Sequence, residues 1–147
     1  MEISVLSYYQ EEIEAVARKI LGSVTSKTIL FNGEMGVGKT TLIKELAKQL
    51  GSMANVSSPT FSIVNEYEIS DGLLYHFDLY RIKNEEEAIN FGIEEYLFSN
   101  EWIFIEWPEK LGALLPEEYN TITITLNSNK SRKLSVNIEK FKDKLVN

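Results

Sequence analysis

Eight consecutive residues restrict this chain more than any others: Gly33-Glu34-Met35-Gly36-Val37-Gly38-Lys39-Thr40 fits G-x-x-x-x-G-K-S/T at every fixed position. At average residue usage such a match arises by chance in roughly one chain in a hundred or fewer. The flanks reduce those odds further. Thr28 to Asn32 (TILFN) is a short apolar run of strand formers. Thr41 to Leu50 places Leu42, Ile43, Leu46, Ala47 and Leu50 on one helical face, and Gly51 supplies the stop. Strand, glycine loop, helix is the context in which this pattern cradles phosphate. Gly33, Gly36 and Gly38 permit positive φ, so successive backbone N–H groups can turn inward, and the following helix adds its positive end. A glycine-rich turn that binds nothing is the bland alternative, and the flanking elements outweigh it.

The remaining pattern builds around that unit. Glu2 to Ser7 reads as a strand. Gln10 to Leu21 reads as a helix, with Ile13, Val16, Ala17, Ile20 and Leu21 at helical spacing and Gly22 closing it. Phe61 to Ile69 is extended, Ser70-Asp71-Gly72 turns, and Leu73 to Phe77 returns as a strand. Helices are expected over Glu85 to Phe91 and Ile93 to Phe98, a strand over Trp102 to Glu106, and a helix-like segment over Pro108 to Leu114. Thr121 to Leu126 and Leu134 to Ile138 alternate in the β manner across the polar connection Asn127 to Lys133, as a hairpin. The predicted fold is α/β. It is a three-layer sandwich of the P-loop NTPase kind, with a mixed sheet, a parallel core and antiparallel additions. Its 147 residues suit one domain, 1–147.

Charge and composition bound the partners. A net charge of −7 argues against the whole surface being a nucleic-acid footprint. The charge is uneven: Glu85 to Glu118 holds ten acidic residues and only Lys110, whereas Lys130 to Lys144 holds six basic residues against Glu139 and Asp143. A solvated acidic face with a basic tail is the plain reading; a partner face with a tail approaching RNA is the sharper one. With no cysteine, disulfides and thiolate metal sites are excluded. MEISVLSYYQEE has no signal-peptide pattern, and no apolar run approaches the roughly 20 residues that span a bilayer, so the expected location is cytoplasmic, away from membranes.

The cradle predicts ATP or another nucleotide with Mg2+. Gly33, Glu34, Met35, Gly36, Val37, Gly38, Lys39, Thr40 and Thr41 are the expected nucleotide contacts, Lys39 reaching the β- and γ-phosphates and the Thr40 hydroxyl the metal. Guanine specificity needs N-K-x-D; the nearest run, Asn129-Lys130-Ser131-Arg132, ends in arginine. Hydrolysis needs a carboxylate near Mg2+ and a group that orients water. Asp78 and Glu106 stand where two apolar strands run out, the side of a parallel sheet on which ligands gather. Both are candidate metal-site residues, and Glu106 with Lys39 is a candidate catalytic group. His76, the only histidine, is read as a half-buried, satisfied ring. Tyr80 and Trp107 are read as packing, with a ring stacked beside the nucleotide as the alternative, and Arg81 as an exposed salt bridge or a charge neutraliser. A small-molecule kinase is an alternative, although Arg18, Arg81 and Arg132 are too few for an arginine-rich lid. A non-hydrolysing ATP-dependent assembly factor is another.

Three segments taken together resemble one family: FNGEMGVGKTTLIKEL (Phe31 to Leu46), SPTFSIVNEY (Ser58 to Tyr67) with HFDLYR (His76 to Arg81), and IEWPEKL (Ile105 to Leu111). The chain resembles the bacterial TsaE (YjeE) family, the ATPase of tRNA threonylcarbamoyladenosine (t6A) biosynthesis, from the first helix to about Leu115. The resemblance implies that Thr60 senses the γ-phosphate and Mg2+ in a switch segment, that Asp78 lies close to the metal, that Glu106 is needed for turnover, and that Trp107 lies beside the nucleotide. It further implies an ATPase that is slow in isolation and partner-dependent. Such a protein acts on the threonylcarbamoyl transferase subunit and that subunit's dimerisation partner, with any tRNA contact indirect.

Overall fold

A computed structural model describes residues 3–34, 36–57, 59 and 63–138. Seven strands form one sheet: β1 (Ile3–Tyr8), β2 (Thr28–Asn32), β3 (Val64–Ile69), β4 (Gly72–Asp78), β5 (Trp102–Glu106), β6 (Asn120–Leu126) and β7 (Arg132–Ile138), in the spatial order β1-β7-β6-β2-β5-β4-β3. The β6–β2, β2–β5 and β5–β4 pairs are parallel, while β1–β7, β7–β6 and β4–β3 are antiparallel. The parallel core with antiparallel additions is thus the architecture expected from the sequence. Among the described residues no helix is long and apolar enough to cross a membrane.

β2 is central because its residues suit burial on both faces. Ile29 and Phe31 point into one core with Leu42, Ile43 and Leu46, and Leu30 points into the other with Phe77, Ile103 and Ile105. This period of two divides the helices into layers. α1 (Ile13–Ser23) and α2 (Lys39–Gln49) cover the first face; α3 (Glu85–Phe91), α4 (Ile93–Leu97) and a 3-10 segment (Pro108–Leu114) cover the second. Each fully buried Leu or Ile contributes about 1.5–3 kcal/mol relative to exposure, so the buried face of α2 fixes where the glycine loop ends.

Several boundaries differ from the sequence reading. α2 starts at Lys39 rather than Thr41, because Gly38 takes φ +112° as the N-cap and releases Lys39 into helical geometry. Gln10–Glu12 forms a 3-10 turn before α1. The expected extended run from Phe61 is described only from residue 63, with β3 starting at Val64; Phe61, like Glu2, lies outside the described residues. The acidic run has a local role. Asn84 Oδ1 accepts from the N–H of Glu87 at 3.0 Å, placing three glutamates in the first turn of α3, where the helix dipole favours them. Glu85 accepts from the Ala113 N–H and Glu87 from the Lys83 N–H.

Candidate nucleotide site

The glycine loop leaves β2 at the C-terminal end of the parallel core. Gly33, Gly36 and Gly38 have φ of +152°, +78° and +112°, as the cradle requires. Two of them also admit close neighbours. A Cβ on Gly33 would meet the Ile124 carbonyl oxygen and the Val37 side chain, each at 2.9 Å, and one on Gly38 would meet Arg132 Nε at 3.2 Å.

Lys39 opens α2 and is only 7% exposed. Its Nζ lies 4.0 Å from Glu106 Oε1 and 4.8 Å from the Trp107 ring centroid. Glu106 is 4% exposed at the end of β5. The β4–β5 register sets Asp78 beside Glu106, and the β2–β5 register sets Phe31 on its other side, so the carboxylates and the loop share one sheet end. Trp107 follows in the left-handed region, φ +60° and ψ +50°, a strained turn for a bulky residue. That turn places its ring 5.0 Å from the exposed Tyr80 as well as against Lys39.

His76 departs from its sequence reading. It is fully buried, and its Nε2 lies 2.8 Å from Glu106 Oε2 while Nδ1 has no partner. With an ionised carboxylate as acceptor, Nε2 is the donor of this hydrogen bond. One Glu106 oxygen is thereby anchored, and the other faces Lys39. Asp78 is half-buried, and its Oδ1 accepts from the Tyr80 N–H at 3.0 Å. Burial pushes the Asp78 carboxyl above its ordinary range; the Tyr80 N–H opposes this, and the negative charge of Glu106 adds to it.

These groups line one cleft of about 450 Å3. Gly36, Gly38, Lys39, Thr40, Thr41, Asp78, Glu106 and Trp107 were expected there; Gln10 and Arg132 were not. Gly33, Glu34 and Val37 instead line an adjoining groove of about 350 Å3 with Thr123 to Leu126. Val37 turns its side chain into the core, so its contribution to a cradle is through the backbone. Met35 and the switch candidate Thr60 lie outside the described residues. The approach to that segment is pinned: the Tyr67 hydroxyl accepts from the Ser57 N–H and donates to the Ser57 carbonyl, at 3.2 and 3.1 Å. Arg81 is exposed and absent from the cleft lining. A larger hollow, about 730 Å3, lies at the other end of β2 and β5, among Thr25 to Thr28, Glu101 and Pro116, far from these groups.

A strand–glycine loop–helix unit at the centre of a parallel core, with carboxylates on the neighbouring strand ends, defines the P-loop NTPase-like class. Bacillus subtilis YdiB, seen in a crystal structure, has the same fold, with a TM-score of 0.70 at 24% identity over 99% of this chain and 93% of that one. The family model described as "Threonylcarbamoyl adenosine biosynthesis protein TsaE" matches residues 7–134, and the chain belongs to the TsaE family. Relatives carrying the name "tRNA threonylcarbamoyladenosine biosynthesis protein TsaE" include one from Haemophilus influenzae, 43% identical over 63% of this chain and 60% of its own length. Another, from Rickettsia bellii, is 33% identical over 88% of this chain and 91% of its own. The Bacillus subtilis protein of that name is 34% identical over 85% and 78%. The matched region thus spans less than two thirds of the Haemophilus influenzae relative.

Proposed function

We propose that this protein is a Mg2+-dependent ATP-binding and hydrolysing subunit serving formation of threonylcarbamoyladenosine in tRNA, acting on the transferase complex rather than on tRNA. The convergence of Lys39, Asp78 and Glu106 on the glycine-loop cleft carries the ATPase reading. The names of the relatives support the pathway.

The donor set fits ATP with Mg2+. The backbone N–H groups of the loop and the start of α2 suit phosphate oxygens, and Lys39 adds a charge at the same place. The Thr40 hydroxyl and the Asp78 carboxylate are hard oxygen donors, and the half-buried Asp78 gains from a cation nearby. Bound Mg2+ would neutralise charge on the β- and γ-phosphates.

Glu106 is the water-orienting group of this reading. Its Oε2 is tied to His76 while Oε1 lies toward Lys39; Glu106 would accept a proton from water as that water's oxygen bonds to the γ-phosphorus and the bond to the β–γ bridging oxygen breaks, releasing ADP. His76 therefore acts through Glu106 as a positioning residue. The kinase alternative finds little support: among the described residues Arg132 is the one arginine that lines the cleft, Arg18 pairs with Glu14 on an exposed helix face, and Arg81 is not among the lining residues. Depletion of the protein in its source organism, followed by mass spectrometry of tRNA nucleosides, tests the pathway. Loss of threonylcarbamoyladenosine is expected, and unchanged levels would remove the pathway while leaving the ATPase reading intact.

A further inference from the structure

Arg132 opens β7 directly after the hairpin turn and is half-buried. Its Nε donates to the Val37 carbonyl at 3.0 Å, bridging 95 residues of sequence to the glycine loop. Gly38 allows this approach, since a side chain there would press on the same Nε. Arg132 lines the cleft together with Lys39, Thr41 and Asp78. Among the described residues, none of the ion pairs within 4.0 Å involves Arg132. Its cross-strand neighbour Tyr8 is buried with an unpartnered hydroxyl, and burial pushes that phenol up despite the opposing Arg132 charge. Tyr8 therefore offers no negative charge at neutral pH.

A half-buried cation without a counter-charge is costly, and an anion in the cleft offsets that cost. The Val37 carbonyl takes one of five guanidinium donors, which leaves the terminal amino groups for such an anion. We propose that Arg132 is a phosphate-binding residue of this cleft, its terminal amino groups contacting the phosphate chain of the nucleotide while Nε braces the glycine loop. This rests on the nucleotide-binding reading above and adds a residue from the far side of the sheet. Planar, forked donors suit phosphate oxygens better than a point charge does.

Arg132→Gln separates the two tasks, because the glutamine amide nitrogen stands where Nε stands while the terminal groups are deleted. Wild type, R132Q and R132K are titrated with ADP by calorimetry at low and high salt, with thermal unfolding of each protein measured alone. R132Q is expected to bind ADP about tenfold or more weakly and with reduced salt dependence, its unliganded melting temperature nearly unchanged. Affinity within about twofold of wild type, with the same salt dependence, would reduce Arg132 to a loop brace and overturn the proposal. If R132Q does not fold, R132K decides: ADP affinity lowered about fivefold or more at a nearly unchanged unliganded melting temperature supports the forked phosphate contact, and a smaller loss contradicts it. A wild-type protein that binds no ADP overturns the nucleotide reading itself, and this proposal with it.

Discussion

Glu106 illustrates how much a single side chain depends on its support. One oxygen is held by His76 and the other faces Lys39, so the carboxylate has a defined direction before any substrate contributes. His76→Leu removes that hold. Turnover of ATP is expected to fall about 10- to 100-fold while ADP affinity changes little, and His76→Gln, which can still donate, should recover part of the loss. Steady-state kinetics beside ADP titration checks both; equal loss of binding in the two variants would make His76 a packing residue only. Asp78 carries a different liability. Its carboxyl is raised by burial, so the folded state holds the proton more tightly than the unfolded state does. Stability therefore falls as pH rises from the ordinary carboxylate value through the raised one, and the penalty persists above it. Asp78→Asn should remove that dependence, raising the melting temperature at pH 7 while abolishing Mg2+-dependent nucleotide turnover. Melting curves across mildly acidic to neutral pH test this; a D78N protein less stable than wild type at pH 7 would contradict it. The carboxylates themselves were readable as strand-end residues. The His76 contact was not, since it joins residues 30 apart through the β4–β5 register.

At the scale of elements, β2 and α2 were legible because their patterns are local: an apolar run, a glycine loop and a periodic apolar face. The start of α2 was missed by two residues because a glycine N-cap at positive φ leaves no side-chain signature. Strand neighbours were harder to read. The β6–β7 hairpin follows from its short connection, but β1 reaches β7 across nearly the whole chain, and that pairing brings Tyr8 opposite Arg132. Arg132 had no sequence signal as a site residue, because its contact to Val37 exists only once β7 is placed. A second long-range tie holds the other end of the core. Buried Asn120 accepts from the N–H groups of Thr25 and Ser26 at 3.1 and 3.0 Å, joining the α1–β2 connection to β6. Asn120→Ala should cost about 1–3 kcal/mol of stability, because two N–H groups lose their acceptor. Denaturant unfolding measures that cost, and ADP affinity should stay unchanged because the tie is remote from the cleft. An N120A protein as stable as wild type would show that water replaces the amide.

For the molecule as a whole, the fold gathers the described groups on which the proposed reaction draws at one end of the sheet. β2 presents the glycine loop, β4 and β5 present Asp78 and Glu106, and β7 presents Arg132. The acidic stretch that suggested a partner face is partly occupied with its own backbone at α3, which favours the plainer reading for Glu85 and Glu87. The basic tail beyond residue 138 lies outside the described residues. The account stands or falls on hydrolysis. Phosphate release from ATP should be measured for wild type, Lys39→Ala and Glu106→Gln, each with and without Mg2+ and the transferase partners. The account predicts Mg2+-dependent release by wild type, little nucleotide binding by K39A, and by E106Q ADP binding near wild type with turnover lowered about 100-fold or more. An E106Q protein that hydrolyses ATP as fast as wild type would contradict it.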